Sequence, residues 1–346
     1  MKKIAKENLP KLFAEVSAAM DLFTPVKMAD VTNWGLWDDS RVADLDTLKT
    51  VKSPKDVFFP QCQTLYMVHH DDNGFEISPM KLTEKPFCVF GIRPCDVKAL
   101  TVMDQVFLNQ EPVDTFYKAR REHAVLVSLA CHKPAQTCFC KVFGTDAAAP
   151  DADVAMWEID GFFYLDAQTE KGSAWLDQFA DVFEDAGDVS DKISKEQDSI
   201  RGIVETLPYT HLSLEGWGPG KVEEKFNDPH WKELSDACLA CGTCTFVCPT
   251  CQCYDIKDFN TGHGIQRYRC WDSCMYSDFT LMAAANNRLT QMQRYRQRFM
   301  HKLVYFPENN NGLYMCVGCG RCVDKCPQAL NIVKVIKTMG KENADV

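Results

Sequence analysis

The chain has 346 residues, 46% hydrophobic and 25% charged, a globular composition long enough for two domains with ordinary cores. A formal charge of −10 disfavours nucleic acid as a partner, and no stretch approaches the ~20 apolar residues of a membrane helix. The start is a mixed pattern with Lys2, Lys3, Lys6, Glu7, Lys11 and Glu15; it lacks the apolar centre of a signal peptide, so a cytoplasmic location is expected.

In chain order, residues 11–22 are expected to form a helix. Residues 87–92 and 124–130 are short, nearly continuous apolar runs, as buried strands are. Residues 96–109 follow the first run as a helix, with Asp96 placed to cap it. Residues 147–153 read as a loop, and the acidic stretch 181–199 as a surface loop or helix. This part is therefore expected to be an α/β domain spanning 1–215. His69 and His70 are adjacent on a strand and point to opposite faces, which favours a polar strand end before an Asn73-Gly74 turn over a metal site.

Glu215-Gly216-Trp217-Gly218-Pro219-Gly220 reads as a hinge. A second domain, 222–346, is expected after it. No Gly-x-Gly-x-x-Gly or Walker A run occurs, so a nicotinamide cofactor is not expected to bind by that route.

The second part carries two cysteine runs of identical spacing. They are Cys238-x-x-Cys241-x-x-Cys244-x-x-x-Cys248-Pro249 and Cys316-x-x-Cys319-x-x-Cys322-x-x-x-Cys326-Pro327. Each is the bacterial ferredoxin run that ligates [4Fe–4S] clusters. Three cysteines at i, i+3 and i+6 wrap one face of a cubane, and the fourth thiolate comes from elsewhere. In two-cluster ferredoxins the Cys before Pro serves the other cluster. Carried onto this chain, one cluster takes Cys238, Cys241, Cys244 and Cys326, and the other takes Cys316, Cys319, Cys322 and Cys248. The competing reading is structural zinc, whose sites more often pair two Cys-x-x-Cys units or add His. Disulfides fit less well: eighteen cysteines without a secretory signal suit a reducing compartment.

Six further cysteines lie in the first part: Cys62, Cys88, Cys95, Cys131, Cys138 and Cys140. Cys95 follows the strand ending at Ile92, and Cys131 follows the one ending at Ala130. If those strands are parallel neighbours, Cys95, Cys131, Cys138 and Cys140 gather at their carboxyl ends, where α/β sheets place ligands. Two readings stand, a third [4Fe–4S] cluster or ordinary buried thiols. Cys251, Cys253, Cys270 and Cys274, between the runs, are expected to pack near the clusters as thiols rather than hold a further metal.

About sixty residues separate the runs. Residues 277–302 read as one long helix, similar to the alpha-helical ferredoxin arrangement in which helices separate the cluster loops. Its cations are Arg288, Arg294, Arg296, Arg298, His301 and Lys302. They are either a solvated face, or charges that offset the clusters or form a docking surface for an acidic partner.

Several strings accompany these runs: Gly91-Ile-Arg-Pro-Cys-Asp-Val-Lys-Ala-Leu100, Tyr117-Lys-Ala-Arg-Arg121, Cys138-Phe-Cys140 and Cys270-Trp-Asp-Ser-Cys274. With them, residues from about 80 to 335 resemble the beta subunit of cytoplasmic sulfhydrogenases. They are equally similar to the corresponding iron–sulfur subunit of anaerobic sulfite reductase and to that of flavin oxidoreductase–heterodisulfide reductase complexes. The resemblance implies an electron-transfer subunit of a hetero-oligomer. Its partners would be an FAD/NAD(P)-binding reductase-like subunit together with a terminal oxidoreductase subunit. The alternative is a free-standing iron–sulfur reductase with a substrate site at an N-terminal-domain cluster.

Overall fold

The computed structural model describes residues 1–71 and 74–340. The chain is a mixed α/β protein with two sheets. Its strands are β1 (Lys2–Ala5), β2 (Asp21–Met28), β3 (Val31–Leu36), β4 (Cys62–Asp71), β5 (Gly74–Pro79), β6 (Phe87–Ile92), β7 (Ala124–Leu129), β8 (Val154–Ile159), β9 (Phe162–Ala167), β10 (Glu184–Asp185), β11 (Tyr254–Asn260) and β12 (Ile265–Trp271). The larger sheet has the order β10-β1-β9-β8-β7-β6-β2-β3. Its centre, β2-β6-β7-β8, is parallel.

β6 and β7 are buried at every position, as continuous apolar strands covered on both faces must be. One face is covered by Leu12, Phe13 and Val16 of the helix Leu9–Ala19 and by Trp175 and Leu176 of the helix Glu170–Gln178. The other is covered by Val97, Leu100 and Met103 of the helix Pro94–Phe107, with Tyr117 of the helix Thr115–His123.

The smaller sheet, β11-β12-β4-β5, joins distant parts of the chain. Strand β12 pairs antiparallel with β4, setting Cys270 opposite Cys62. The turn expected at Asn73-Gly74 falls partly outside the described residues.

Several expectations from the sequence are corrected. The first helix spans Leu9–Ala19, not 11–22, because Asp21 already begins β2. Asp96 does not cap its helix. Pro94 occupies the first turn, where a missing N–H costs nothing, and the Asp96 carboxylate accepts from Arg321 instead. In the stretch 181–199, expected as a surface loop or helix, the helix Ser190–Glu205 does begin, and only Glu184–Asp185 depart from the expectation, as the edge strand β10.

Of the expected helix over 277–302, only the part from Gln291 onward forms: an α-helix Gln291–Met300, opened by a Thr290–Gln293 capping box and continued by a π-helical turn His301–Tyr305. Before it, Asn286 accepts from Thr280 Oγ1 and the Arg288 amide and donates to the Ser277 carbonyl. Such side-chain bonds compete with helix formation and hold 277–290 as an irregular loop. The β11–β12 hairpin also lies between the cysteine runs, where helices are expected.

Candidate metal centres

The two cysteine runs fold alike. In the first, Ala240 (φ 54°) and Gly242 (φ 71°) take the left-handed region; in the second, Gly318 (φ 62°) and Gly320 (φ 74°) do. Each loop then enters a short helix, Thr243–Phe246 or Arg321–Lys325. The repeated left-handed residues curl each loop around its three cysteines.

Each loop walls a cavity. One is lined by Cys238, Cys241, Cys244 and Cys326. The other is lined by Cys316, Cys319, Cys322 and Cys248. The cysteine before each proline thus faces the cavity of the opposite run. Each cavity offers the four thiol donors that a cubane takes. Among the described residues no three His, Cys, Asp or Glu side chains form a group suited to a single metal ion.

Donors point at the sulfurs. The Gln291 amide side chain donates to Cys238 Sγ at 3.3 Å, and the Leu330 amide donates to Cys326 Sγ at 3.3 Å. The Gly318 amide donates to Cys316 Sγ at 3.4 Å. Hydrogen bonds of this kind favour thiolates and help set a cluster's potential.

The electrostatics of the two loops differ. Burial pushes the Cys316 thiol up to about 12, against the pull of Lys302. Cys241 is exposed, and hydrogen bonding from Thr243 lowers it.

The four N-terminal cysteines stand beside the second loop. β6 and β7 are parallel neighbours, so Cys95 and Cys131 emerge at the same end of the sheet. Cys95, Cys131 and Cys140 pack in one cluster with Ala147 and Ala148. Burial raises Cys131 to about 11 and Cys140 to about 12, with the neighbouring thiols adding to the rise and Arg93 opposing it at Cys131.

The 137–140 segment lies directly on the second loop. The Phe139 amide donates to the Gly318 carbonyl at 2.8 Å, and Cys138 Sγ lies 3.8 Å from the Cys319 carbonyl. A Cβ on Gly318 would come within 2.4 Å of the Phe139 carbonyl oxygen, and one on Gly320 within 2.3 Å of the Thr137 carbonyl oxygen.

Of the cysteines between the runs, Cys251 and Cys274 are buried, and Cys251 Sγ accepts from Arg298. Cys253 is brought down to about 7 by a hydrogen bond from Cys274. Cys270 stands apart on the hairpin opposite Cys62. Trp271 packs at 6.2 Å on Phe59 and carries the Lys55 ammonium 3.7 Å over its ring.

Sequence reasoning missed Lys55, whose buried ammonium donates to the carbonyls of Cys248 and Cys251. It missed the buried Asp96–Arg321 pair as well. Arg321 was visible between Cys319 and Cys322, but nothing in the chain announces a partner 225 positions away.

Residues 237–330 match the 4Fe-4S dicluster domain family. Over 340 residues, 96% of this chain and 96% of the relative, the chain is 29% identical to Sulfhydrogenase 2 subunit beta of Pyrococcus furiosus. No solved structure matches it. The chain is thus similar over nearly its whole length to a sulfhydrogenase beta subunit, and the part that matches the 4Fe-4S dicluster domain family contains both cysteine runs.

Proposed function

We propose that this chain is a cytoplasmic electron-transfer subunit. It carries electrons between an FAD/NAD(P)-binding partner and a terminal catalytic subunit of hydrogenase, sulfite reductase or heterodisulfide reductase type. The observation that carries this reading is the pair of cavities, each faced by three cysteines of one run and the fourth of the other. The relative's name, a beta subunit, supports membership of a multi-subunit assembly. Among the described residues no helix is long and apolar enough to cross a membrane.

Cys238, Cys241, Cys244 and Cys326 would hold one [4Fe–4S] cluster, and Cys316, Cys319, Cys322 and Cys248 the second. Cys95, Cys131, Cys138 and Cys140 would hold a third. A cluster so held accepts and gives up single electrons. The chain's own residues do the rest. Gln291 and the Leu330 and Gly318 amides orient the thiolates, and Phe299, Met275 and Tyr295 keep water from the first cavity. The contact of residues 137–140 with the second loop supports an electron path from the dicluster part, 222–346, into the α/β part, 1–215.

Iron and acid-labile sulfide analysis of the anaerobically purified full chain tests this, with EPR after reduction. About twelve irons per chain are expected. Cys248→Ser should damage the cluster of the second run and spare the first. Cys131→Ser should bring the count to about eight. Zinc in place of iron overturns the reading. Loss of only the first-run cluster in Cys248→Ser overturns the crossed ligation. Eight irons in both wild type and Cys131→Ser reduce the N-terminal set to buried thiols.

A further inference from the structure

Seven lysines and arginines are buried among the described residues: Lys55, Arg93, Lys225, Arg269, Arg298, Lys302 and Arg321. An interior cation needs a compensating charge, since an unpaired one costs several kcal/mol. Three have a carboxylate: Lys225 with Glu224, Arg269 with Asp114, and Arg321 with Asp96.

The other four have neutral or thiol partners. Lys55 bonds two carbonyls, and Arg93 bonds the Leu45 and Leu48 carbonyls with Nη1 left unpartnered. Arg298 donates to the Cys244 carbonyl at 2.6 Å and to Cys251 Sγ at 3.4 Å, and its Nε has no partner. Lys302 donates to Thr250 Oγ1 at 2.9 Å, and Thr250 in turn donates its hydroxyl proton to the Met315 carbonyl.

All four stand against cysteines. Arg93 is flanked by Cys95 and Cys131, and Lys55 holds the Cys248–Cys251 turn. Arg298, on the α-helix Gln291–Met300, and Lys302, on the π-helical turn that continues it, both reach the second-run cavity. Each is 3% exposed. Arg298 lines both cysteine cavities, whereas Lys302 lines only that of the second run.

Resting on the cluster assignment above, we propose that these four cations, none of them hydrogen-bonded to a carboxylate, are the fixed counter-charges of the clusters. In this arrangement Arg298 is shared by the two ferredoxin-type sites, and Lys302 is dedicated to the second. They are positioning residues that set reduction potential, not ligands. One-electron reduction adds one negative charge to a site and need move no proton, so a cation already fixed beside it stabilises the reduced state. Because Lys302 serves one cavity only, it separates the potentials of two sites with identical ligand sets.

The test is an EPR-monitored titration of the full, anaerobically purified chain with dithionite as reductant. Wild type is compared with Lys302→Met, Arg298→Met and Lys302→Arg. Lys302→Met should lower the second-run potential at least tenfold in equilibrium constant, about 59 mV for one electron, and move the first-run signal less. Arg298→Met should lower both, and Lys302→Arg should stay near wild type. After iron is stripped with a chelator, Lys302→Met should melt at a higher temperature than stripped wild type, since the uncompensated charge is gone.

Unchanged potentials in both methionine variants overturn the proposal, as does equal loss in Lys302→Met and Lys302→Arg. If Lys302→Met fails to take up the second-run cluster, uptake by Lys302→Arg supports the charge role; failure of both overturns it. Absence of two cubane signals from wild type removes the cluster assignment and this proposal with it, a result read before any variant is compared.

Discussion

The two cysteine loops share a spacing, a closing proline and a pair of left-handed residues, yet they sit in different surroundings. The first is an outer loop. Leu239, between its first two cysteines, is 61% exposed, and Cys241 reaches solvent. The matching residue of the second loop, Val317, is 2% exposed and packs with Ala99, Val102 and Met315. The second loop is clamped by 137–140 on one side and by Asp96 and Thr50 through Arg321 on the other. A repeated cysteine motif therefore fixes the local loop geometry, while the packing around it decides which loop faces solvent and which is enclosed.

The sharpest way to break this contrast is Asp96→Ala. Arg321 and Asp96 form a bidentate pair at 2.6 and 2.7 Å with both side chains buried, and the first loop has Thr243 where the second has Arg321. Removing one partner of a buried pair leaves a bare charge and costs about 3–5 kcal/mol. Anaerobic denaturant melts should show that loss, with iron released from the second run before the first. A change below about 1 kcal/mol would mean that the clamp does not hold the loop.

What was legible is what depends on short strings: the two equal cysteine spacings, the strand-end positions of Cys95 and Cys131, and β6, read at its true bounds. What stayed hidden depends on distance in the chain. Asp96 looked like a helix cap because capping is a local habit, but a buried arginine outweighed it. The loop 277–290 read as helix because the segment 277–302 is rich in Ala, Leu, Met, Gln and Arg; one asparagine side chain, accepting two hydrogen bonds and donating a third, decided otherwise. Among the six basic residues of that segment, burial singled out Arg298 and Lys302. Arg296 lies over the Phe226 ring instead.

A smaller effect separates the loops at their left-handed residues. Gly318→Ala adds a Cβ 2.4 Å from the Phe139 carbonyl oxygen at a φ of 62°. Left-handed strain and overpacking together cost about 2–4 kcal/mol. Its counterpart in the first loop is already alanine, at a φ of 54°. Ala240→Gly should stay within about 1 kcal/mol of wild type, relief of strain offsetting the added backbone entropy. Melts of the two variants, with iron counts, check this. Equal tolerance would mean that 137–140 does not press on the second loop.

The smallest expected effect is also the most direct comparison, because it probes the same position in each run. Val317→Ala removes two methyl groups from a packed interior, which costs about 2 kcal/mol from lost burial and the cavity left behind. Leu239→Ala removes a larger side chain, yet one that already faces water, so stability should change by no more than about 0.5 kcal/mol. The larger truncation should therefore do less harm, the reverse of what side-chain size alone predicts. Paired anaerobic melts of the two single variants decide the matter. If Leu239→Ala costs as much as Val317→Ala, the first loop is packed in solution as tightly as the second, and the division into an outer and an inner site fails.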